Sequence, residues 1–278
     1  MKTKKVFDRK FIKNQLSQII ALTERNIKLN LRFKYKIIIS FVTPIIMIAM
    51  PIIILGRFLD FNTEFGPWNA NNFLIFQFAA YQIYLIRNLI NEFPAQLLRE
   101  KYWKTIPALI IAPLNRFNIL IGIFISHMIL ISPPIILFLI ISYIAYPISF
   151  LTLIFVIIIL FSIALIFSSI GLFLGVFAIS NENIWRIIAF GINIVFWFSC
   201  LTYPFELFPN VIQQFINLNP LYYIFDILRV AWIEDSIILS IYAHPLNFIV
   251  LILCVILLPS ISVYFFNFIY KKIGIVGY

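Results

Sequence analysis

Long apolar runs separated by short polar segments form the dominant pattern of this chain. A helix needs roughly 20 apolar residues to cross a hydrocarbon core about 30 Å thick, and six runs reach or approach that length. They predict spans at 37–59, 73–89, 117–145, 148–179, 187–203 and 246–270. The pattern therefore predicts an all-α polytopic membrane protein with six transmembrane helices.

The stretch from 117 to 179 contains no Lys, Arg, Asp or Glu, so its division into helices depends on turn signals alone. It could hold two long spans or three short ones. Tyr146-Pro147 is the strongest turn signal near its middle. A break at Pro133-Pro134 would leave a first segment too short to span, so this pair is interpreted as a kink. Two long helices are therefore predicted.

Residues 8–34 show helical spacing of apolar and polar positions. The apolar positions are Phe11, Ile12, Leu16, Ile19, Ile20 and Ile27, and the polar ones are Lys10, Lys13, Ser17, Glu24 and Lys28. Basic side chains on the polar face suit an anionic membrane surface. Residues 1–36 are therefore predicted to hold a cytoplasmic amphipathic interfacial helix that precedes a transmembrane domain at 37–278. An ordinary solvated amphipathic helix is the alternative.

Residues 204–222 precede the last span and are cut into short pieces by Pro204, Pro209 and Pro220. Between the last two prolines, apolar positions such as Phe215 alternate with amide side chains at amphipathic helical spacing. Each piece is shorter than a crossing requires. The segment therefore predicts a re-entrant helical hairpin that enters one leaflet and returns to the same side.

The distribution of charge predicts the orientation. Of 21 Lys and Arg residues, 11 fall within the first 36 positions, and with the N-terminus inside the inner segments hold 18 while the outer ones hold 2. Such an excess is typical of cytoplasmic loops, so both termini are predicted in the cytoplasm, with the protein in the cytoplasmic membrane and the hairpin outside. The net charge of +10 therefore indicates topology and not nucleic-acid binding.

The sequence shows no pattern typical of catalysis or cofactor binding. It has no phosphate-binding loop and no H-E-x-x-H, and its only histidines are His127 and His244. No pair of carboxylates lies within a span, which argues against an ion-coupled transporter. No catalytic, cofactor-binding or metal-binding residue is predicted in this chain. Gly171 and Gly175, beside Ser168, predict a face for close helix packing.

The segment LLREKYWKTIPALIIAPLNR, within the polar stretch 94–116, resembles the loop after the second span in type-2 ABC exporter permeases. The positions that carry the resemblance are Glu100, Thr105, Leu109, Ala112-Pro113 and Arg116. Lys104 stands where the family often has Gly. The resemblance implies a short coupling helix seated in a groove of an ATPase subunit, with Arg99 and Trp103 among its contacts. A helix that lies on the lipid surface is the alternative.

A second segment, YPFELFPNVIQQFINLNPLYYIFDILR, resembles the region before the last span in the same family. Asn219, Pro220, Leu221 and Arg229 carry this resemblance. Pro220 is interpreted as a stop for the hairpin, and Arg229 is expected to pair with Asp226 one turn earlier.

The resemblance implies a permease subunit of an ATP-driven exporter, paired with a second permease, expected to be identical, and with two copies of an ABC ATPase that binds ATP-Mg. The substrate would be a lipid-linked saccharide, an amphipathic drug or a lipid. The alternative is a polytopic membrane enzyme that acts on lipid intermediates. Its candidate acids are Glu206, Asp226, Glu234 and Asp235. A passive channel is a third class, and it would need no ATPase.

Overall fold

The described part of the chain is helical throughout. The computed structural model describes residues 9–59, 66–69, 72–104, 116–180 and 182–273, and these contain ten α-helices, one short 3₁₀ helix and no strand. The α-helices are α1 (Arg9–Leu31), α2 (Lys34–Leu59), α3 (Phe73–Tyr102), α4 (Arg116–Ala145), α5 (Phe150–Ser180), α6 (Glu182–Trp197), α7 (Asn210–Asn217), α8 (Pro220–Glu234), α9 (Ile237–Ala243) and α10 (Pro245–Ile273). The 3₁₀ helix is Phe205–Leu207.

Four helices in the described ranges are long and apolar enough to cross a membrane. They are α3, α4, α5 and α10. Shorter apolar helices lie at Phe41–Leu55 within α2 and at Asn183–Trp197 within α6, where the first and fifth spans are predicted. The all-helical membrane fold is confirmed, and the count of six spans stays a prediction.

Helix α3 forms the centre of the bundle. About 72% of its most apolar stretch is buried within the protein, compared with 11% for α10. Ala80, Ile83, Leu85 and Leu89 on α3 are fully buried. The exposed apolar surface of α10 is suited to lipid contact, whereas α3 is surrounded by other helices.

Helices α3 and α5 pack with backbones in close approach, as the small residues predict. A Cβ atom built on Gly171 would lie 2.6 Å from the Leu89 carbonyl oxygen of α3, and one on Gly175 would lie 2.8 Å from Leu97 Cδ1. At Gly171, no side chain fits unless the backbone of α3 moves. The packing face predicted from the spacing of the glycines is therefore confirmed.

The uncharged stretch forms two long helices, as predicted. Helix α4 runs through Pro133 and Pro134 and ends at Ala145, and α5 begins at Phe150. Ser142 Oγ donates to the Phe138 carbonyl in the last turns of α4. Trp232 Nε1 donates to the Tyr146 carbonyl at 3.1 Å, which satisfies an acceptor just beyond that helix end.

Helix α3 is longer than the predicted second span, which ends at residue 89. It continues through Pro94 to Tyr102 and includes the first part of the polar stretch. Gln96 and Glu100 in this extension are buried and bind polar side chains of α1. The polar residues are therefore satisfied inside the protein, and the helix has no need to end at the limit of the apolar run.

The predicted fifth span, 187–203, is shifted in the structure. Helix α6 occupies Glu182–Trp197, and Cys200 adopts a left-handed conformation with φ of 53°. Asn219 Nδ2 donates to the carbonyls of Val195 at 2.6 Å and Phe198 at 2.8 Å. A side chain distant in sequence thus satisfies carbonyls at the end of α6 and fixes where the helix stops.

Arg87 on α3 reaches sideways to α6, where its guanidinium donates to Asn193 Oδ1 and lies 4.0 Å from the ring centroid of Phe196. A hydrogen bond and a cation–π contact are therefore available within the bundle, so the side chain does not need to reach bulk water.

Candidate functional site

The predicted coupling segment begins on the last turns of α3. Glu100 is buried, and its carboxylate accepts hydrogen bonds from Arg25 of α1 and from Gln96 Nε2 at 3.4 Å. The same Gln96 amide donates to Asn26 Oδ1 at 3.0 Å. The acidic residue of the segment therefore contacts α1 of its own chain, and it fastens the end of α3 to that helix.

Helix α1 is held on its other side by α4. Asn118 Nδ2 on α4 donates to Gln18 Oε1 at 2.8 Å and also to Gln15 Oε1. A Cβ atom built on Gly122 would lie 2.9 Å from Leu22 Cβ, so the two helices are in close contact. Helix α1 is thus seated between the C-terminal end of α3 and the N-terminal end of α4 by polar contacts.

The face of α1 that packs on the protein is largely polar. Thr23, Asn26 and Asn30 are buried, whereas the apolar residues Leu16 and Ile20 are exposed. Asn26 meets a polar partner on α3 and another amide of α1 meets one on α4, while the exposed apolar positions remain available for lipid. The repeated amide side chains of α1 are visible in the sequence. Their partners lie about 70 to 100 positions away in the chain, so the sequence alone does not identify these contacts.

The end of α3 presents an exposed aromatic and basic surface. Tyr102 and Trp103 are about half exposed or more, and Phe33 of the α1–α2 connection lies nearby and exposed. The Arg99 guanidinium lies 5.9 Å from the Trp103 ring centroid and 6.0 Å from that of Phe33. Lys104 adopts a left-handed φ of 55°, so the chain turns away from the helix here.

The remaining residues of the predicted coupling segment lie outside the described residues. These are Thr105, Leu109, Ala112 and Pro113. Arg116 is the first residue of α4. The structure therefore locates Arg99, Glu100 and Trp103, and the positions of the others stay predictions.

The segment predicted as a hairpin consists of short elements. Pro204 precedes the 3₁₀ helix, and Pro209 precedes α7, an amphipathic helix of 8 residues. Ile216 on α7 is fully buried, while Phe215 beside it is exposed. The residues between the prolines are therefore too few to cross a membrane, as the sequence predicts.

Asn219 and Pro220 join α7 to α8. The side-chain oxygen of Asn219 accepts from the Leu221 N–H at 3.0 Å, and Pro220 occupies the first turn of α8. Pro220 lacks an N–H that would otherwise be unpaired at a helix start. Because Asn219 also binds the end of α6, these two residues fix how α6 meets α8.

Arg229 does not form the predicted ion pair with Asp226. Its side chain is 1% exposed, donates to the Leu201 carbonyl and lies 3.6 Å from the Phe76 ring centroid. Asp226 accepts from Asn247 Nδ2 at 3.0 Å instead. Both residues lie outside the candidate spans, and burial lowers the pKa of Arg229 to about 10. Arg229 therefore ties α8 to α3 and to the turn after α6.

A family comparison matches most of this chain. The model for the ABC-2 type transporter matches residues 17–233, which include most of α1, all of α3, the segment 204–222 and all but the last residue of α8. No curated protein matches the chain. The chain belongs to the ABC-2 type transporter family: it is a multi-pass membrane permease component of an ABC transporter, a family that works with an ABC ATPase.

Proposed function

We propose that this chain is the permease subunit of an ATP-driven exporter that moves an amphipathic or lipid-linked substrate across the cytoplasmic membrane. In this proposal the chain has six transmembrane helices, and both termini lie in the cytoplasm. Two copies of a separate ATPase bind and hydrolyse ATP-Mg, and a second copy of this permease completes the complex. The excess of basic residues in the predicted inner segments supports this orientation.

The ion pair between Arg25 and Glu100 carries the proposal. It joins the cytoplasmic end of α3 to α1, and α3 is the most buried long helix among the described residues. A force applied to the end of α3 therefore reaches the centre of the bundle and the interfacial helix together. Rigid-body displacement of packed helices is the way such a force would alter access through the membrane.

The surface beside that pair suits contact with the ATPase. Tyr102 and Trp103 offer exposed aromatic area, and Arg99 adds a positive charge beside them. Aromatic and Arg side chains are the most frequent energetic centres of protein interfaces. The residues that follow, through 116, complete the proposed coupling segment, and they are predicted to seat in a groove of the ATPase.

The hairpin is proposed to act on the opposite side as a gate for the leaving substrate. Phe215 is exposed on α7, and Asn219 connects this helix to the ends of α6 and α8. A displacement of α6 or α8 would therefore move α7. Phe215→Asp is expected to reduce export while the ATPase still binds.

A pair of tryptophan variants tests the coupling proposal. The permease is co-expressed with its ATPase, and co-purification and ATP hydrolysis in nanodiscs are measured. Trp103→Ala is expected to weaken ATPase binding at least about tenfold, because truncation of an aromatic interface centre costs about 2 kcal/mol or more. Trp197→Ala is the matched control, since Trp197 is equally an exposed tryptophan but lies at the far end of α6.

Equal binding and equal ATP hydrolysis by Trp103→Ala and the wild type would contradict a coupling role for the end of α3. Equal losses in Trp103→Ala and Trp197→Ala would also contradict it, because the effect would then not depend on the cytoplasmic location of the residue.

A further inference from the structure

A cavity with a volume of 360 Å³ lies beneath the hairpin, and neither the coupling proposal nor the gate proposal uses it. Its walls come from the segment before α3, the 3₁₀ helix, α8, and the start of α10. This volume falls within the range of small-molecule sites. The cavity is therefore large enough for a ligand of sugar size.

The charges around the cavity do not balance. Glu206, Asp226 and Glu234 all line it, and Arg229 is the only Lys or Arg among the described residues that line it. His244 Nε2 lies 3.5 Å from Glu234 Oε1, so a protonated His244 would still leave one negative charge in excess. An occupant with a positive charge is therefore favoured over an anion.

Two buried atoms of the lining residues lack a hydrogen-bond partner within the described protein. They are Glu234 Oε2, an acceptor, and Arg229 Nε, a donor on a side chain that is almost fully buried. Buried polar atoms are normally paired, so each of these atoms has capacity for a bond to water or to a bound ligand. A ligand that brings both a donor and an acceptor would satisfy both atoms.

The burial of the acids also favours an occupant with a positive charge. Burial raises the pKa of Asp226, although Arg229 opposes this effect, and burial also raises the pKa of Glu206. Both groups lie outside the candidate spans. A cation placed among them would offset the cost of holding their charges away from water.

The aromatic residues of the cavity offer flat apolar surface beside these charges. Phe205 and Tyr222 stack with ring centroids 5.3 Å apart, and Trp68 meets Phe76 edge to face at 4.8 Å. Within the described residues, no group of three His, Cys, Asp or Glu side chains is arranged to hold a metal ion. A compact organic cation therefore fits the lining better than a metal.

We propose that this cavity binds an organic ammonium ion that carries hydroxyl groups, of the amino-sugar class. The ammonium group donates to Glu234 and Asp226. A hydroxyl oxygen accepts from Arg229, and the apolar face of the ring lies against the aromatic wall. The proposal concerns binding by this chain alone and does not depend on the direction of transport.

The first test compares sugars that differ mainly in charge. The purified chain in nanodiscs is titrated with glucosamine, at a pH where its amine is protonated, and with glucose and N-acetylglucosamine as neutral analogues. Thermal unfolding is followed at constant ionic strength. Glucosamine is expected to raise the midpoint in a saturable manner, and the neutral sugars are expected to leave it unchanged. Equal shifts for all three sugars, or none for glucosamine, would overturn the proposal.

The second test compares two adjacent acids. Glu234→Gln should weaken glucosamine binding at least about tenfold, because a charge-assisted hydrogen bond is lost. Asp235→Asn is the matched control, since Asp235 is exposed and does not line the cavity. If Glu234→Gln fails to fold, Asp226→Asn, which removes the other proposed carboxylate partner of the ammonium group, replaces it with the same expected loss. Wild-type binding in the folded variant, or an equal loss in Asp235→Asn, would contradict the assignment.

Discussion

Arg25 on α1 and Glu100 near the end of α3 form an ion pair across 75 positions of the chain, and its carboxylate is buried. The pair connects α1 to the most buried long helix of the described bundle. Because Gln96 and Asn26 extend the contact by further hydrogen bonds, the two helices should move as one unit.

The first prediction concerns this pair. Glu100→Gln should destabilise the docking of α1 by about 1 kcal/mol, because a charged hydrogen bond is lost while one partner remains partly solvated. Hydrogen exchange of the α1 amides should increase accordingly. The double variant Arg25→Glu with Glu100→Arg restores opposite charges at the two positions, so it should recover part of the lost stability of α1 docking.

Glu24→Gln on α1 serves as the control for removal of a carboxylate charge. Glu24 pairs with Lys28 at 2.6 Å on an exposed surface, and such a pair is expected to contribute almost nothing. If Glu24→Gln increased exchange in α1 as much as Glu100→Gln, the effect would be one of net charge and not of the buried contact.

The second prediction concerns helix packing. Gly171→Ala should destabilise the bundle by about 1–3 kcal/mol, because the added methyl group would lie 2.6 Å from the Leu89 carbonyl oxygen. Thermal unfolding in detergent measures this cost. Gly191→Ala is the matched control, since nothing lies within 4 Å of a Cβ atom there. A lower midpoint for the Gly191 variant than for the Gly171 variant would contradict the described packing.

The sequence predicts the features that depend on neighbouring residues. The spacing of Gly171 and Gly175 is sufficient to identify a packing face, because residues four apart share one side of a helix. The absence of charge from 117 to 179 and the turn signal at Pro147 are sufficient to predict α4 and α5. Proline spacing likewise predicts that residues 204–220 do not cross the membrane.

The features that depend on distant partners could not be predicted in this way. Asp226 lies three residues before Arg229, which favours a local pair, but the guanidinium meets the Leu201 carbonyl and the Phe76 ring. Asn219 follows α7 in the chain, yet its side chain donates to the carbonyls at the end of α6. Contacts of this kind follow from the three-dimensional arrangement, which hydropathy and turn signals do not specify.

The third prediction concerns topology. Single cysteines replacing Asn62 and Ser236 should react with an impermeant reagent in intact cells. Cysteines at Lys4 and Lys272 should react only after permeabilisation, because basic segments remain in the cytoplasm. Mass spectrometry of the labelled chain gives the result. Labelling at position 272 in intact cells would contradict the six-span arrangement.

The fourth prediction concerns pH. The Ser149 N–H donates to Asp235 Oδ1 at 2.7 Å, and this bond lowers the pKa of the carboxyl. The resulting stability is present above the unfolded-state pKa and is lost as the pH falls through the lower folded-state pKa. The midpoint of thermal unfolding of the wild type should therefore fall in acid, because this contribution to stability is lost. Asp235→Asn should lack it, since the amide does not titrate and tolerates the left-handed φ of 44° at this position. An identical acid response in both proteins would contradict the prediction.

The most direct test of the account is a photo-crosslink from the end of α3 to the ATPase. A photoreactive amino acid is placed at Trp103, at the exposed residue Leu218 after α7, and at Trp197, and the complex is irradiated in nanodiscs. The account predicts an ATPase adduct from position 103 and none from positions 218 or 197. An adduct from position 218 and none from position 103 would contradict it, because the ATPase would then contact the hairpin side and not the coupling segment.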